Sequence, residues 1–317
     1  MGWYIGGAIL LLGLAVLAIL LYCYFRVFHL PDRKSPGEDD YPIPPGSVYA
    51  PYREQMIAWM KSIRAMDREA VQVTSFDGLT LRGMYYEYAP GAPVELLFHG
   101  YQGSSERDLC AGVERCFALG RSAILIDQRG GGRSDGNMTT FGIRERLDCL
   151  TWIRYAIDRF GSDVKLILGG VSMGAATVMM AAGEDLPDNV VCVMADCGYS
   201  SPKDIICKVI RDMHLPPRLV YPFVRLSARL FGGFDLEETS PMEAVKRSKT
   251  PIIFIHGDAD DFVPCDMSRA LYEACTCRKK LAEIRGAGHG LAYPADPTGY
   301  LGALRDFETE CGWSKNG

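Results

Sequence analysis

The apolar positions of this chain change their spacing from segment to segment, and each change predicts a different element. Residues 3–25 carry no charged side chain and are dominated by Leu, Ile, Ala and Gly. As a helix this run extends roughly 34 Å, enough to cross a hydrocarbon core of about 30 Å. No Lys or Arg precedes it and no small-residue cleavage site follows, so it predicts a single transmembrane anchor over residues 1–28 and not a removed signal peptide. Residues 29–50 hold Pro31, Pro36, Pro42, Pro44 and Pro45 among charges, which predicts an extended linker spacing the rest of the chain from the bilayer. Met56, Trp59, Met60, Ile63 and Met66 then recur at helical spacing between Arg53, Glu54, Lys61 and Arg64. That stripe predicts an amphipathic helix packed on the globular part, in preference to one resting on a membrane surface.

From Val71 the period shortens. Val71–Ser75 and Leu79–Tyr88 flank an Asp77-Gly78 turn and read as a hairpin. Short β runs follow at Val94–Phe98, Ser122–Asp127, Val164–Leu168, Val190–Ala195, Pro251–Ile255 and Leu281–Ile284, separated by helical stretches. Strands alternating with helices predict an α/β domain over 51–317, with a mostly parallel sheet covered on both faces. Ligands bind beyond the carboxyl ends of such strands, so the informative residues lie just after each run. Between 199 and 249 the strand rhythm stops, and apolar helical stretches are broken at Pro216-Pro217 and Gly232-Gly233.

Composition narrows the classes. The chain has 317 residues, 48% hydrophobic, with 34 basic against 39 acidic side chains and a net charge of −5. No basic block follows residue 35, so nucleic acid is not an expected partner. The eleven cysteines are odd in number and scattered, which fits reduced buried thiols and not a disulfide framework. Cys275 and Cys277 stand alone, and the five histidines lack ligand spacing, so neither a metal nor another cofactor is expected. Arg26, Arg33 and Lys34 follow the apolar run and place the domain in the cytoplasm by the positive-inside rule. The sequence implies no particular oligomeric state.

The chemistry centres on Leu166–Ala182, where an apolar strand turns into a small-residue helix through Gly170-Val171-Ser172-Met173-Gly174. A turn this tight needs positions without Cβ on either side, and it lifts the serine hydroxyl out of the sheet at a helix N-terminus. Ser172 is therefore the expected nucleophile. After Val94–Phe98, the His99-Gly100-Tyr101-Gln102-Gly103 turn can aim backbone N–H groups into a cleft, so the Tyr101 and Met173 amides are the expected oxyanion hole. His99 itself reads as structural. The glycine cluster at 127–134 lacks a Gly-Lys-Ser/Thr ending and reads as a structural loop. A serine needs a base, and His289 in Gly288-His289-Gly290 is the only histidine after His256. The base needs a buried carboxylate, for which Asp258, Asp260 and Asp261 are candidates.

The order Ser172, Asp, His289 resembles that of the α/β-hydrolase fold, in particular the serine hydrolases grouped with serine aminopeptidase-like and monoacylglycerol lipase-like domains, many of them bacterial. The resemblance rests on His99-Gly100, the D-x-R-G-x-G-x-S segment at Asp127–Ser134, the elbow, the H-G-x-x-D-x-x-V-P segment from His256 to Pro264, and Gly288-His289. It covers Val71 to about Phe307. It implies an α/β-hydrolase fold, a helical cap at about 199–249 and Asp260 as the acid, leaving Asp258 and Asp261 to cap the next helix or face solvent. Asp196 occupies the place from which some members draw the acid instead. Gly131 stands where the family often has His, which implies a looser loop. The implied activity is hydrolysis of a small-molecule carboxylic ester, with lipid-derived esters favoured by the anchor. An amide or peptide substrate is the alternative, and a catalytically silent membrane-bound binding module is a third reading.

Overall fold

A computed structural model describes residues 2–31, 37 and 39–313. Eight strands form one sheet: β1 Glu69–Thr74, β2 Thr80–Tyr86, β3 Val94–Phe98, β4 Ser122–Asp127, β5 Leu166–Val171, β6 Val190–Asp196, β7 Ile252–Gly257 and β8 Lys279–Ile284. Their spatial order is β1-β2-β4-β3-β5-β6-β7-β8. β1 and β2 pair antiparallel, as do β2 and β4, while the remaining pairs are parallel. β3, β4 and β7 are buried along their whole length, which is why they read as continuous apolar runs and not as alternating ones.

The helices are α1 Gly2–Val27, α2 Arg53–Ala65, α3 Ser105–Leu109, α4 Gly112–Ala118, α5 Glu145–Phe160, α6 Met173–Ala182, α7 Pro202–Asp212, α8 Pro217–Ser227, α9 Pro241–Val245, α10 Cys265–Ala274, α11 Ala292–Ala295 and α12 Pro297–Cys311. One face of the sheet packs on α5, α6 and α10 through Trp152, Val178 and Leu271. The other packs on α2, α4 and α12 through Met60, Val113 and Leu304. α2 buries Met56, Trp59, Met60 and Ile63, and Trp59 Nε1 donates to Glu114 Oε2 at 3.0 Å, so the amphipathic stripe faces the domain. A buried network ties β3 to α4 and α12: Glu95 pairs with Arg115 and Arg121, and Arg121 with Glu308.

Between β6 and β7, where the strand rhythm stops, α7, α8, a π turn at Ala228–Gly232 and α9 form a helical insertion. Ser201 and Ser240 cap α7 and α9 by accepting from Asp204 N and Glu243 N, each followed by proline at the first helical position.

The N-terminal segments depart from the sequence expectation. Residues 3–19 of α1 face outward, but Leu20, Cys23, Tyr24 and Phe28 are buried. Cys23, Tyr24 and Phe28 pack in one cluster with Phe141, Met173, Tyr199 and the insertion's Val224 and Phe234. The chain leaving α1 then joins the domain directly. His29 bridges Met138, Leu30 N donates to Asn137 O at 2.7 Å, and Thr139 N donates to Phe28 O at 2.9 Å. Further on, Tyr41, Ile43, Tyr49 and Tyr52 pack on the core, and Ser47–Tyr52 is a 3-10 turn. The described stretches on either side, 28–30 and 41–52, therefore pack on the domain instead of standing away from it. Arg33, Lys34 and Pro36, on which part of the linker and orientation reading rests, lie outside the described residues.

Candidate active site

β5 delivers Ser172 at its carboxyl end, and α6 begins at the next residue. Ser172 adopts φ 57° and ψ −113°, a conformation costly for any residue with a Cβ. Two contacts hold it there: Ser172 N donates to Asp196 O at 2.8 Å, and Ser172 O accepts from Ala176 N at 3.1 Å. The flanking glycines are required by close approach. A Cβ on Gly170 would run into the Gly174 backbone, and one on Gly174 into the Phe98 carbonyl.

Two loops bring partners to the serine. The segment after β8 carries His289, whose Nε2 lies 2.9 Å from Ser172 Oγ. The segment after β7 carries Asp260, whose Oδ2 lies 2.7 Å from His289 Nδ1. Asp260 Oδ1 accepts from Phe262 N at 3.0 Å and Val263 N at 2.8 Å. Burial alone would raise this carboxyl, but hydrogen bonds from His256 and His289, together with the backbone N–H of Val263, hold it well below the usual carboxylate range. Asp260 is therefore an anion against the imidazole, and it fixes the tautomer in which Nδ1 donates and Nε2 faces the serine. The Phe262 ring stacks edge-on against His289, with centroids 5.0 Å apart.

Of the other aspartates, Asp258 is exposed, as expected, and it also makes a loop contact. Its Oδ1 accepts from Gly286 N at 2.6 Å, fastening the two loops together. Asp261 faces outward, with its carbonyl accepting from Lys208 Nζ at 2.5 Å. Asp196 sits one strand away, and its Oδ2 accepts from Tyr300 OH at 3.0 Å while Oδ1 is buried without a partner. Burial pushes Asp196 up to about 6, and no hydrogen bond joins it to His289.

The His99–Gly103 loop lies against the elbow, and a Cβ on Gly100 would stand 3.6 Å from Ser172 Cβ. Met173 is buried as the first residue of α6. The Tyr101 side chain points the other way, its hydroxyl donating to Val27 O of α1 at 2.8 Å. His99 is structural: Nδ1 pairs with Gly100 O at 2.8 Å, and Nε2 accepts from Gln128 N at 3.0 Å. The expectation of a looser loop at Gly131 is not met. The loop is braced by Arg129 on Asp148 and Asp77, and by Arg133 on Asp127. A Cβ at 131 would meet His99 Nε2 at 2.7 Å, so here glycine is the residue that fits.

Two residues near the site gave little sign in the sequence. His256 is fully buried, with Nε2 2.8 Å from Val263 O and 3.2 Å from Asp260 Oδ2, and Nδ1 2.6 Å from Ser268 Oγ. It meets the same carboxylate oxygen as His289, and its only signal was its place at the head of the H-G-x-x-D segment. Cys197, at φ 46°, has its sulfur within 4.8 Å of donor atoms of both Asp260 and His289. Burial pushes its thiol well up. These three donors form the candidate metal-ligand group among the described residues, with Asp260 and His289 already bonded to each other.

The pattern of the α/β-hydrolase fold matches residues 93–250, and that of the FSH1 serine hydrolases matches 222–291. The chain belongs to the α/β-hydrolase family. The hydrolase is 23% identical over 248 residues to the uncharacterized protein YqkD of Bacillus subtilis, covering 78% of this chain and 81% of that one. It is 28% identical over 200 residues to the uncharacterized membrane protein YNL320W of Saccharomyces cerevisiae, covering 62% and 63% of the two chains. Among solved structures it resembles the Pyrococcus furiosus esterase Pf2001, with a TM-score of 0.65 and 20% identity over 90% of this hydrolase and 99% of that chain.

Proposed function

We propose that the hydrolase cleaves a carboxylic ester by two-step acyl transfer, with Ser172 as nucleophile, His289 as general base and acid, and Asp260 as the carboxylate that orients the imidazole. The observation that carries this reading is the unbroken pair of hydrogen bonds from Asp260 through His289 to Ser172, 2.7 and 2.9 Å long. His289 Nε2 takes the hydroxyl proton as the Ser172 oxygen attacks the carbonyl carbon. The Tyr101 and Met173 amides receive the developing oxyanion. The protonated imidazole gives its proton to the leaving alcohol, and the resulting acyl-enzyme is cleaved by water activated at the same nitrogen.

The preference for an ester draws on the resemblance to Pf2001 and on the apolar insertion between β6 and β7, which offers a cap for an acyl chain. We also read α1 as a membrane anchor with the catalytic domain on the cytoplasmic side. Its mean hydropathy of 2.6 over a window of which 11% is buried supports the anchor. Eleven unpaired cysteines support a reducing compartment.

The test is labelling of the full-length protein in detergent with a fluorophosphonate, followed by turnover of p-nitrophenyl esters of increasing chain length and the matching anilides. Ser172→Ala is expected to abolish labelling and to lower turnover by at least about a thousandfold. Labelling that survives in Ser172→Ala overturns the assignment, and anilide turnover above ester turnover replaces the ester reading with the amide one.

A further inference from the structure

The domain leaves few large apolar side chains exposed, and they are not scattered. Outside α1 they are Val48, Phe76, Tyr88, Met213, Leu215, Leu219, Leu226, Leu230 and Phe262. Five of these fall between residues 213 and 230, a stretch that contains three arginines and no acidic residue. On α8 and the turn that continues it, Leu219, Pro222, Leu226 and Leu230 are spaced three or four apart and share one outward face. Tyr221, Val224 and Ala228 take the inward face and are buried. The outward face is as apolar as the inward one, which is not what water selects.

What lies beside this stripe is α1. α8 packs along the last turns of α1, and the Phe231 ring stands 5.7 Å from that of Tyr24. The outward-facing part of α1, residues 3–19, rises only about 25 Å, roughly 5 Å less than a hydrocarbon core of about 30 Å. The missing turn begins at Leu20, where α1 is already flanked by the insertion. If α1 spans the bilayer, the face of α8 beside that turn lies at the level of the headgroups and the first acyl carbons. The charges agree, because Arg26, Arg211 and Arg218 are exposed at this end, and Arg225 and Arg229 hold Asp235 at the edge of the stripe.

We propose that α8 is a second membrane contact, lying in the boundary of the bilayer that α1 crosses, with Leu219, Leu226 and Leu230 among acyl chains and Arg26, Arg211 and Arg218 at anionic headgroups. The hydrolase is then seated on the membrane by two elements at its substrate-covering side. The proposal rests on the reading of α1 as a span.

The experiment uses full-length protein reconstituted in phosphatidylcholine–phosphatidylglycerol vesicles. Leu226→Trp, Leu219→Trp and, as control, Asp185→Trp, whose natural side chain is 96% exposed, are compared with the unsubstituted chain, and the added emission is followed. With lipids brominated on the upper acyl chain, the added emission at 219 and 226 is expected to fall by at least half and to resist aqueous iodide. The control is expected to behave in the opposite way. Quenching of the 219 and 226 signals by iodide and not by brominated lipid overturns the proposal. So does shielding from both quenchers accompanied by a doubled mass in detergent, which assigns the stripe to a second copy of the chain. Alkaline carbonate extraction of the unsubstituted protein reads α1 separately. Release overturns the span and the proposal together, whereas retention with iodide-accessible 226 overturns the proposal alone.

Discussion

Asp260 and Asp196 end neighbouring stretches of the same sheet edge, both are buried, and their carboxyl groups move in opposite directions. Asp260 receives two backbone N–H groups and faces two imidazoles, so its charge is favoured despite burial. Asp196 receives one phenol hydroxyl, and burial dominates. This difference carries a stability consequence. The Asp196 carboxyl stands at about 6 in the fold against about 3.9 in an unfolded chain, so its charge opposes folding above about pH 6. That penalty fades as the pH falls from 6 to 4. Asp196→Asn keeps an acceptor for Tyr300 and is expected to be more stable than the natural protein at pH 7.5, by about 1–3 kcal/mol, with the two converging by pH 4. Thermal unfolding across that pH range reads the difference. A sequence could offer three aspartates near His256 but not choose by geometry among them. The choice lies in which carboxylate the turn after β7 points at a loop nearly thirty residues later.

At the scale of elements, strands and helices were legible because their burial is regular. The eight strands lie where the short apolar runs put them, within a few residues at each end. The end of α1 was not legible, since Leu20, Cys23, Tyr24 and Phe28 look the same whether lipid or protein covers them. Phe28 stands edge-on to Phe141 and Phe234, and Phe141 in turn packs on Tyr101, the residue proposed to donate to the oxyanion. Two truncations separate the outer and inner parts of this helix. Removing residues 1–19, of which 3–19 are exposed apart from a half-buried Val16, is expected to leave unfolding temperature and fluorophosphonate labelling in detergent close to those of the full chain. Removing 1–30 strips Phe28 and the His29–Met138 bridge from the core and is expected to lower the unfolding temperature by more than ten degrees or to yield aggregate. Equal behaviour of the two truncations would show that the buried turns contribute nothing.

For the whole molecule, the arrangement is an α/β domain whose helical insertion packs against the end of an apolar helix. A tether of the kind expected from the prolines would let the domain turn freely relative to the bilayer. The observed docking of Phe28–Leu30 on residues 137–139 removes that freedom and fixes which side of the domain faces the apolar helix. The side of the membrane is open to a direct readout. A fluorescent protein that matures only in the cytoplasm, fused after Gly317, is expected to be bright, and a dark fusion with full expression would place the domain on the other side. The long reach of the likeness to Pf2001, 90% of this chain at 20% identity, reflects the sheet and its flanking helices, because that level of identity speaks for architecture alone.

The sequence alone determined those features whose physical cause is local. Periodicity set the strands, the crowding of a strand-to-helix turn demanded glycines around Ser172, and the absence of charge marked α1. Tertiary structure alone decided what depends on residues distant in the chain. It brought the carboxylate of Asp260, the aspartate that the H-G-x-x-D-x-x-V-P resemblance implied, to 2.7 Å from His289, gave that carboxylate a second imidazole in His256, required Gly131 beneath His99, and folded the end of α1 into the domain. Each of these is a matter of which surfaces meet, and an apolar or ionisable side chain carries no mark of its partner until the chain has closed around it.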